Sequence, residues 1–325
     1  MCTPRVVNEA YKQKIAAHAA RFREVTTSPF GADDEIGMLN LIDAASRDAI
    51  MSRADATRIF DLSVENFVGM PSWTAAGDPN YQIWMTHTPG GESVWNSMSV
   101  DAETNNLVAY SGDAISLYTH VGTHVDTLNH FGYRGKIFNN FTAAGHLGSR
   151  GWDVCGAEKH PPTIARGILL DVAALHNVPA LPPSHGVGPE DLQGCLKKQG
   201  TTLSPGDVVM VRTGQMQTHW PDASKFMPNP PGLNRAGAAF LCEAGAITIG
   251  TDTASFEQLP SAEPGNFLPV HCYMLAEAGV PIMEVVYLDE LAAEKLYEFA
   301  FFGACIRLRG ATGSPMRPVA MPLRA

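Results

Sequence analysis

The chain has 325 residues, of which 45% are hydrophobic and 17% are charged, which is ordinary globular composition and enough length to bury a substantial core. The formal net charge of −10, together with the lack of any long run of Lys or Arg, excludes a nucleic-acid-binding protein, because phosphate binding requires a concentrated basic surface. No stretch reaches the roughly 20 apolar residues of a membrane span, and the first residues lack the apolar core of a signal peptide, so we expect a cytoplasmic protein with no membrane partner.

The beginning of the chain is predicted to contain two helices and one strand. Residues 8–25 carry apolar side chains at helical spacing and are expected to form a helix within an N-terminal arm, residues 1–30. A second helix is expected to begin at Asp43 or Ser46, because either side chain can cap a helix N-terminus. The apolar run at 58–64 predicts a strand.

From there on, a loop-like region is followed by alternating strands and helices. Residues 68–106 are rich in Gly, Pro, Trp and Asn, which favours a long loop that covers a site. Strands are predicted at 107–121, 165–175, 206–214, 245–252 and 302–310. Helices are predicted at 188–200, 234–245 and 288–299. This alternation indicates an α/β protein with a mixed sheet, and since no linker divides the chain we expect a single domain, residues 1–325.

The histidine-rich segment "LYTHVGTHVDTLNHF" is the most informative part of the sequence. In an extended chain His120, His124 and Asp126 fall on one side, with His130 in phase, whereas on a helix Asp126 would turn away. A straight strand also fails, because at about 3.3 Å per residue His120 and Asp126 would be about 20 Å apart, too far to share one ion. We therefore predict a bend at Gly122, where glycine permits a tight turn.

Two imidazoles and a carboxylate suit Zn²⁺ or Mn²⁺, and iron as well, and the lack of a thiolate favours a catalytic site over a structural one. Ordinary buried core histidines explain the segment less well, because burying four polar side chains without partners would cost several kcal/mol. Two other functions stay open. A mononuclear iron oxygenase also uses two histidines and one carboxylate, and a metal-stabilised binding protein would hold the ion without turnover.

The segment "HVGTHVDTLNH" resembles the H-x-G-T-H-x-D-x-P-x-H signature of the cyclase-like metal-dependent hydrolases, the family of bacterial kynurenine formamidases and isatin hydrolases. Leu128 stands where the signature commonly has proline. The segments "FGADDEIGMLNLI", "DLSVENFVGMPSW" and "HCYMLAEAGVPIMEVVYLDEL" are similar to passages of the longer members, so the resemblance extends over most of the chain from about residue 30 onward. It implies a single domain of the swivelling β/β/α type, with a mixed sheet and flanking helices, and a homodimer or higher homo-oligomer.

The resemblance also implies a role for particular residues. The implied metal ligands are His120, His124, Asp126, His271 and Glu284. In the formamidase-type members Asp126 would also bridge to a second ion held by His271 and Glu284, whereas the isatin-hydrolase-like members resemble a one-metal design. His130 would transfer the proton, and Trp73 would contact the substrate. The implied reaction is cleavage of a C–N or C–O acyl bond in a small molecule, either a cyclic amide, imide or lactone or an N-formyl aromatic amide, by water activated on Zn²⁺ or Mn²⁺.

Overall fold

In this computed structural model, the described residues are 24–89 and 101–324. The predicted opening helix, residues 8–25, lies almost entirely outside them. Residues 24–30, the described end of the expected N-terminal arm, contain no helix, and the rest of the arm stays a prediction.

Nine of the strands form one mixed sheet. The strands are β1 (Phe60–Asp61), β2 (Gln82–His87), β3 (Gly112–Ser116), β4 (His124–Asp126), β5 (Leu147–Gly148), β6 (Gly151–Trp152), β7 (Thr163–Asp171), β8 (Gly186–Val187), β9 (Val208–Arg212), β10 (Gly232–Leu233), β11 (Thr248–Thr251), β12 (Ile282–Glu284), β13 (Glu298–Gly303), β14 (Gly313–Pro315) and β15 (Val319–Pro322). Their order across the sheet is β1-β15-β13-β7-β9-β11-β12-β4-β14. The four strands β7, β9, β11 and β12 run parallel, and the other neighbours pair antiparallel.

Short helices flank this sheet. The helices are α1 (Ala44–Arg53), α2 (Ala102–Leu107), α3 (Ala143–His146), α4 (Val172–Leu175), α5 (Pro189–Gln199), α6 (Gln215–His219), α7 (Ala223–Phe226), α8 (Arg235–Glu243), α9 (Pro269–His271) and α10 (Asp289–Ala293), with 3₁₀ turns at Gly37–Leu41, Thr74–Ala76 and Phe138–Asn140 and a π-helix at Cys272–Ala278. In the described part of the chain, none of these helices has the length and apolar character that crossing a bilayer requires. The α/β class with a mixed sheet and flanking helices is therefore confirmed.

The sheet has a hydrophobic core on each face, as the alternation of side chains along β9 demonstrates. Val209 and Val211 pack in one core with residues of α5, α8 and the π-helix. Val208 and Met210 point to the other face and pack in a second core with Leu291 of α10. Because both faces are covered, strand β9 is an uninterrupted apolar run from Val208 to Val211, as buried parallel strands often are.

Several predicted elements are confirmed. Helix α1 begins directly after Asp43, whose side chain accepts a hydrogen bond of 2.7 Å from the backbone N–H of Ser46. Helices α5, α8 and α10 fall inside the predicted helical segments, and strands β9 and β11 inside the predicted strand segments. Strand β7 covers residues 165–171 of the predicted strand at 165–175, but residues 172–175 form helix α4 instead.

Three assignments need correction. The predicted loop at 68–106 contains strand β2 and most of helix α2, and its residues 90–100 lie outside the described residues. In the predicted strand at 107–121 only β3 is a strand, because the chain leaves the β2–β3 ribbon after Ser116 and turns at residues 119–123. The segment 302–310 is the end of β13 followed by irregular chain, since the sheet pairing of that strand stops at Gly303.

Candidate functional site

The histidine-rich segment enters the sheet through a sharp bend at the predicted position. Gly122 has φ of +62°, which glycine adopts more easily than any other residue, and a Cβ atom there would have to displace the side-chain oxygen of Asn66. The next residue holds the bend in place: the Thr123 hydroxyl donates to the carbonyl of Val285 (2.6 Å) and accepts from the backbone N–H of Val64 (3.0 Å).

Strand β4, which follows the bend, places two of the predicted ligands on one side of the sheet. His124 and Asp126 point to the same face, because side chains alternate along a strand, while Val125 points into the opposite core. Antiparallel pairing sets His124 directly opposite Glu284 of β12. A glutamate distant in sequence thereby becomes the nearest cross-strand neighbour of the motif.

Four side chains bring their nitrogen and oxygen atoms together here. His124 Nε2 lies 3.3 Å from Asp126 Oδ1 and 3.4 Å from Glu284 Oε2. His271 Nε2 lies 3.2 Å from Glu284 Oε1 and 3.7 Å from Asp126 Oδ2. In a tetrahedral site with bonds near 2.1 Å, neighbouring ligand atoms are roughly 3.4 Å apart, so these separations fit the edges of a metal coordination shell.

The orientation of both imidazoles leaves their inward-facing nitrogens available to a metal. His124 Nδ1 donates to the carbonyl of Gly122 (2.8 Å), and His271 Nδ1 bonds to the carboxylate of Glu257 (2.8 Å). Because a carbonyl or a carboxylate accepts, each Nδ1 carries the hydrogen and each Nε2 presents a lone pair in the neutral ring. This is the usual arrangement of metal-binding histidines.

Two buried polar atoms support this interpretation. Among the described residues, His124 Nε2 and Glu284 Oε1 are enclosed without a hydrogen-bond partner, although such atoms are normally satisfied. A divalent cation among these side chains would satisfy both atoms, so the donor set fits a metal.

The electrostatics of the centre favour positive charge. Burial disfavours the imidazolium form of His124, but the carboxylates of Asp126 and Glu284 outweigh burial and raise the pKa of His124 to about 10. The pKa of His271 is raised to about 10 in the same way, by Glu257 and Glu284. The field that stabilises these protons stabilises a divalent cation equally well.

His120 and His130 form the other side of the centre. His120 Nδ1 lies 2.6 Å from Asp126 Oδ1 and its Nε2 lies 2.9 Å from the Thr312 hydroxyl, so His120 must exchange one of these hydrogen bonds to bind an ion. His130 stacks on His120 with ring centroids 3.9 Å apart, and its Nε2 is 3.9 Å from Asp126 Oδ2. Burial, and then the neighbouring charge of His120, lower the pKa of His130 well below its ordinary value, so it is a neutral base at pH 7.

The centre opens into a cavity of about 600 Å³, a size typical of small-molecule sites. His130 and His271 reach it from the centre, and Trp73 lines it from the segment before β2. Trp73 also packs in a small apolar cluster with Met216 and Phe226. The structure thus brings every predicted site residue to one place, while their roles as ligands, base and substrate contact stay predictions.

Sequence reasoning missed three residues that position this centre. The Glu257 carboxylate also accepts from the backbone N–H groups of Val270 (3.0 Å) and His271 (2.8 Å), which satisfies the start of helix α9. Thr312 holds His120, and Gly313 leaves room for its ring, which a Cβ atom would overlap. No periodicity or motif marks these positions, since each acts only through a contact distant in sequence.

Comparisons with known proteins agree with the fold. The Cyclase family model matches residues 60–258. The kynurenine formamidase of Salinibacter ruber (strain DSM 13855 / M31) is 26% identical over 248 residues, which cover 74% of this chain and 92% of that protein. A crystal structure of a protein described as a novel cyclase is 25% identical with a TM-score of 0.78, over 90% of this chain and 95% of that one. Isatin hydrolase A from Labrenzia aggregata, bound to benzyl benzoate, is 18% identical with a TM-score of 0.60, over 82% and 93% of the two chains, a likeness of fold alone.

Proposed function

This chain belongs to the Cyclase family, and from that membership and the geometry of the centre we propose that it is a metal-dependent hydrolase that cleaves a C–N or C–O acyl bond of a small molecule. The observation that carries the proposal is the set of His124, Asp126, Glu284 and His271 atoms, spaced like the edges of a coordination shell beside a cavity.

Two groups of side chains that share Asp126 have the spacing of metal ligands: His124, Asp126 and Glu284 form one, and His120, Asp126 and His130 form the other. In this proposal His120, His124, Asp126 and Glu284 hold the metal, whereas His130 stays free for proton transfer. His271 adjoins the first group through its Nε2 atom. The nitrogen and oxygen donors suit Zn²⁺ or Mn²⁺, and such an ion lowers the pKa of water toward 7 and polarises a carbonyl oxygen.

His130 is the proton-transfer residue in this proposal. Its neutral imidazole can take a proton from the attacking water and return it to the departing nitrogen or oxygen, which is the usual role of a catalytic histidine. Its stacking on His120 fixes the ring plane, and its position in the cavity lining brings it within reach of a bound substrate.

The aromatic lining of the cavity favours a flat, largely apolar substrate. Trp73, Phe131 and Phe267 supply aromatic surface around the centre, which suits ring-containing molecules. We therefore propose a cyclic amide, imide or lactone, or an N-formyl aromatic amide, as the substrate class, with Trp73 as a substrate contact.

The test combines metal analysis with a hydrolysis screen over formanilides, isatins, cyclic imides and lactones. The wild-type protein is expected to hold stoichiometric Zn²⁺ or Mn²⁺ and to hydrolyse at least one class. The variant His124→Ala should lose metal, whereas His130→Ala should keep it and lose about 10²- to 10⁴-fold in kcat. His146→Ala, a histidine outside the centre, is the matched control. Full activity without bound metal, or oxygen consumption with Fe²⁺ in place of hydrolysis, would refute the proposal.

We also propose that the protein forms a homodimer through the ribbon of β2 and β3. Ile83, Trp84 and Met85 are consecutive in β2 and each about half exposed. Since neighbours in a strand point to opposite faces, both faces of the ribbon present apolar surface, which is typical of an interaction site. Size-exclusion chromatography with light scattering should find that the wild-type protein is a dimer and that Trp84→Ser weakens it. Met51→Ser, which changes an exposed apolar residue of α1, is the control and should leave the dimer intact. A wild-type monomer would contradict the proposal.

A further inference from the structure

The cavity has an uneven charge distribution outside the candidate metal centre. Asp78 is the one charged side chain of the described lining that lies apart from the centre, and that lining contains neither Lys nor Arg. A negatively charged substrate group would therefore meet a carboxylate and no cationic side chain in this lining.

Asp78 is held at the cavity wall by a local turn. It follows the 3₁₀ turn at Thr74–Ala76, and its backbone N–H donates to the carbonyl of Trp73 (3.4 Å). Tyr118 lines the same cavity as Asp78, and its ring lies 5.1 Å from the ring of His120. Asp78 therefore shares one cavity wall with a neighbour of the centre.

The Asp78 carboxylate has acceptor positions available to a substrate. A carboxylate has about four acceptor positions, whereas the Tyr118 hydroxyl in the same lining carries a single hydrogen. Most of these positions can therefore accept from a substrate or from water.

We propose that Asp78 determines substrate specificity by binding the part of the substrate that is remote from the scissile bond. Its carboxylate accepts a hydrogen bond from an N–H group there or forms an ion pair with a positive charge, and it excludes substrates that carry a carboxylate at that position. This inference rests on the proposed hydrolase function. A carboxylate placed beside Asp78 would lose water and gain only repulsion, whereas an ammonium or N–H group would gain a charge-assisted hydrogen bond. The substrate class is therefore neutral or cationic aromatic acyl compounds with a remote donor.

The experiment compares formanilides with para-aminomethyl, para-methyl and para-carboxylate groups on the wild-type protein and Asp78→Asn. The ratio of kcat/KM for the aminomethyl compound to that for the carboxylate should fall at least tenfold in the variant. Because the intrinsic reactivity of each amide is the same for both enzymes, this change in ratio isolates the contribution of Asp78. Asp113→Asn, an exposed aspartate of β3 outside the cavity lining, should leave the ratio unchanged.

Binding of the three corresponding anilines to the wild-type protein and to Asp78→Asn, measured by calorimetry, separates the two proposals. Hydrolysis with the same ratio in wild type and Asp78→Asn would overturn the specificity role and leave the hydrolase function standing. If no formanilide is hydrolysed, while the wild-type protein binds the aminomethyl aniline more tightly than the carboxylate and Asp78→Asn loses this preference, the hydrolase proposal fails for this substrate class and the selectivity of Asp78 stands.

Discussion

Replacing Glu257 by glutamine tests whether this residue tunes the metal centre through His271. The carboxylate is buried, and its Oε1 atom receives three N–H groups: the backbone of Val270 at 3.0 Å, the backbone of His271 at 2.8 Å and the His271 ring at 2.8 Å. Glu257→Gln keeps the shape and one acceptor oxygen. The substitution removes the negative charge, so His271 Nε2 becomes a weaker ligand. It also places an NH₂ group, which cannot accept a hydrogen bond, near the Val270 N–H that lies 3.2 Å from Oε2.

Removing such an outer partner of a metal-binding histidine costs 10- to 100-fold in metal affinity, about 1.4 to 2.7 kcal/mol. Competition titration against a chromophoric chelator measures this loss directly. Asp252→Asn is the matched control, because Asp252 is also a buried carboxylate that accepts backbone N–H groups, from Thr213 and Gly214, each at 2.8 Å. We expect the control to lower the free energy of unfolding without changing metal affinity. An unchanged affinity in Glu257→Gln, or an equal loss in both variants, would refute the reasoning.

Two further predictions concern stability. Burial lowers the pKa of His160 to about 4, so between pH 6.5 and 4 the unfolded chain binds a proton that the folded chain does not. Acidification through this range should lower the free energy of unfolding by up to roughly 3 kcal/mol. Denaturant unfolding at pH 7.5 and 4.5 should find a smaller decrease in His160→Asn than in the wild-type protein, and an equal decrease would contradict the assignment. Gly122→Ala should lower the free energy of unfolding by about 1–3 kcal/mol more than Gly135→Ala, because both glycines have positive φ but only at Gly122 does a Cβ meet a neighbour; equal thermal shifts would argue against the overlap with Asn66.

The part of the site that the sequence predicts is the part that depends on local geometry. The parity of His124 and Asp126, and the need to bend the chain at Gly122, follow from strand dimensions and from metal bond lengths, and the structure has strand β4 and the bend at those positions. Strand β9 was also predictable, because the run from Val208 to Val211 is apolar at every position, as a strand buried on both faces often is.

Other features were unpredictable because they arise from pairing between distant segments. Strand β2 has apolar residues exposed on both faces, so it lacks the alternation that marks a half-buried strand, and a sequence rich in Gly and Pro around it favours a loop. Glu257 is a single glutamate in an irregular segment, and its role depends on helix α9 beginning beside it. The hydrogen bond from His120 to Thr312 likewise joins segments that no local pattern connects.

The direction of strand β4 explains why these distant segments meet at one place. Strands β11 and β12 run parallel, so the chain leaves both at the same edge of the sheet, and this edge receives Glu284 at the end of β12 and Glu257 shortly after β11. Strand β4 pairs antiparallel to β12, so it begins where β12 ends, and the bend that carries His120 lies at the same edge. A parallel β4 would have placed His120 at the opposite edge, away from Glu284. Ligands in α/β sheets bind beyond the carboxyl ends of parallel strands, and here the reversed strand brings the histidine motif to that position.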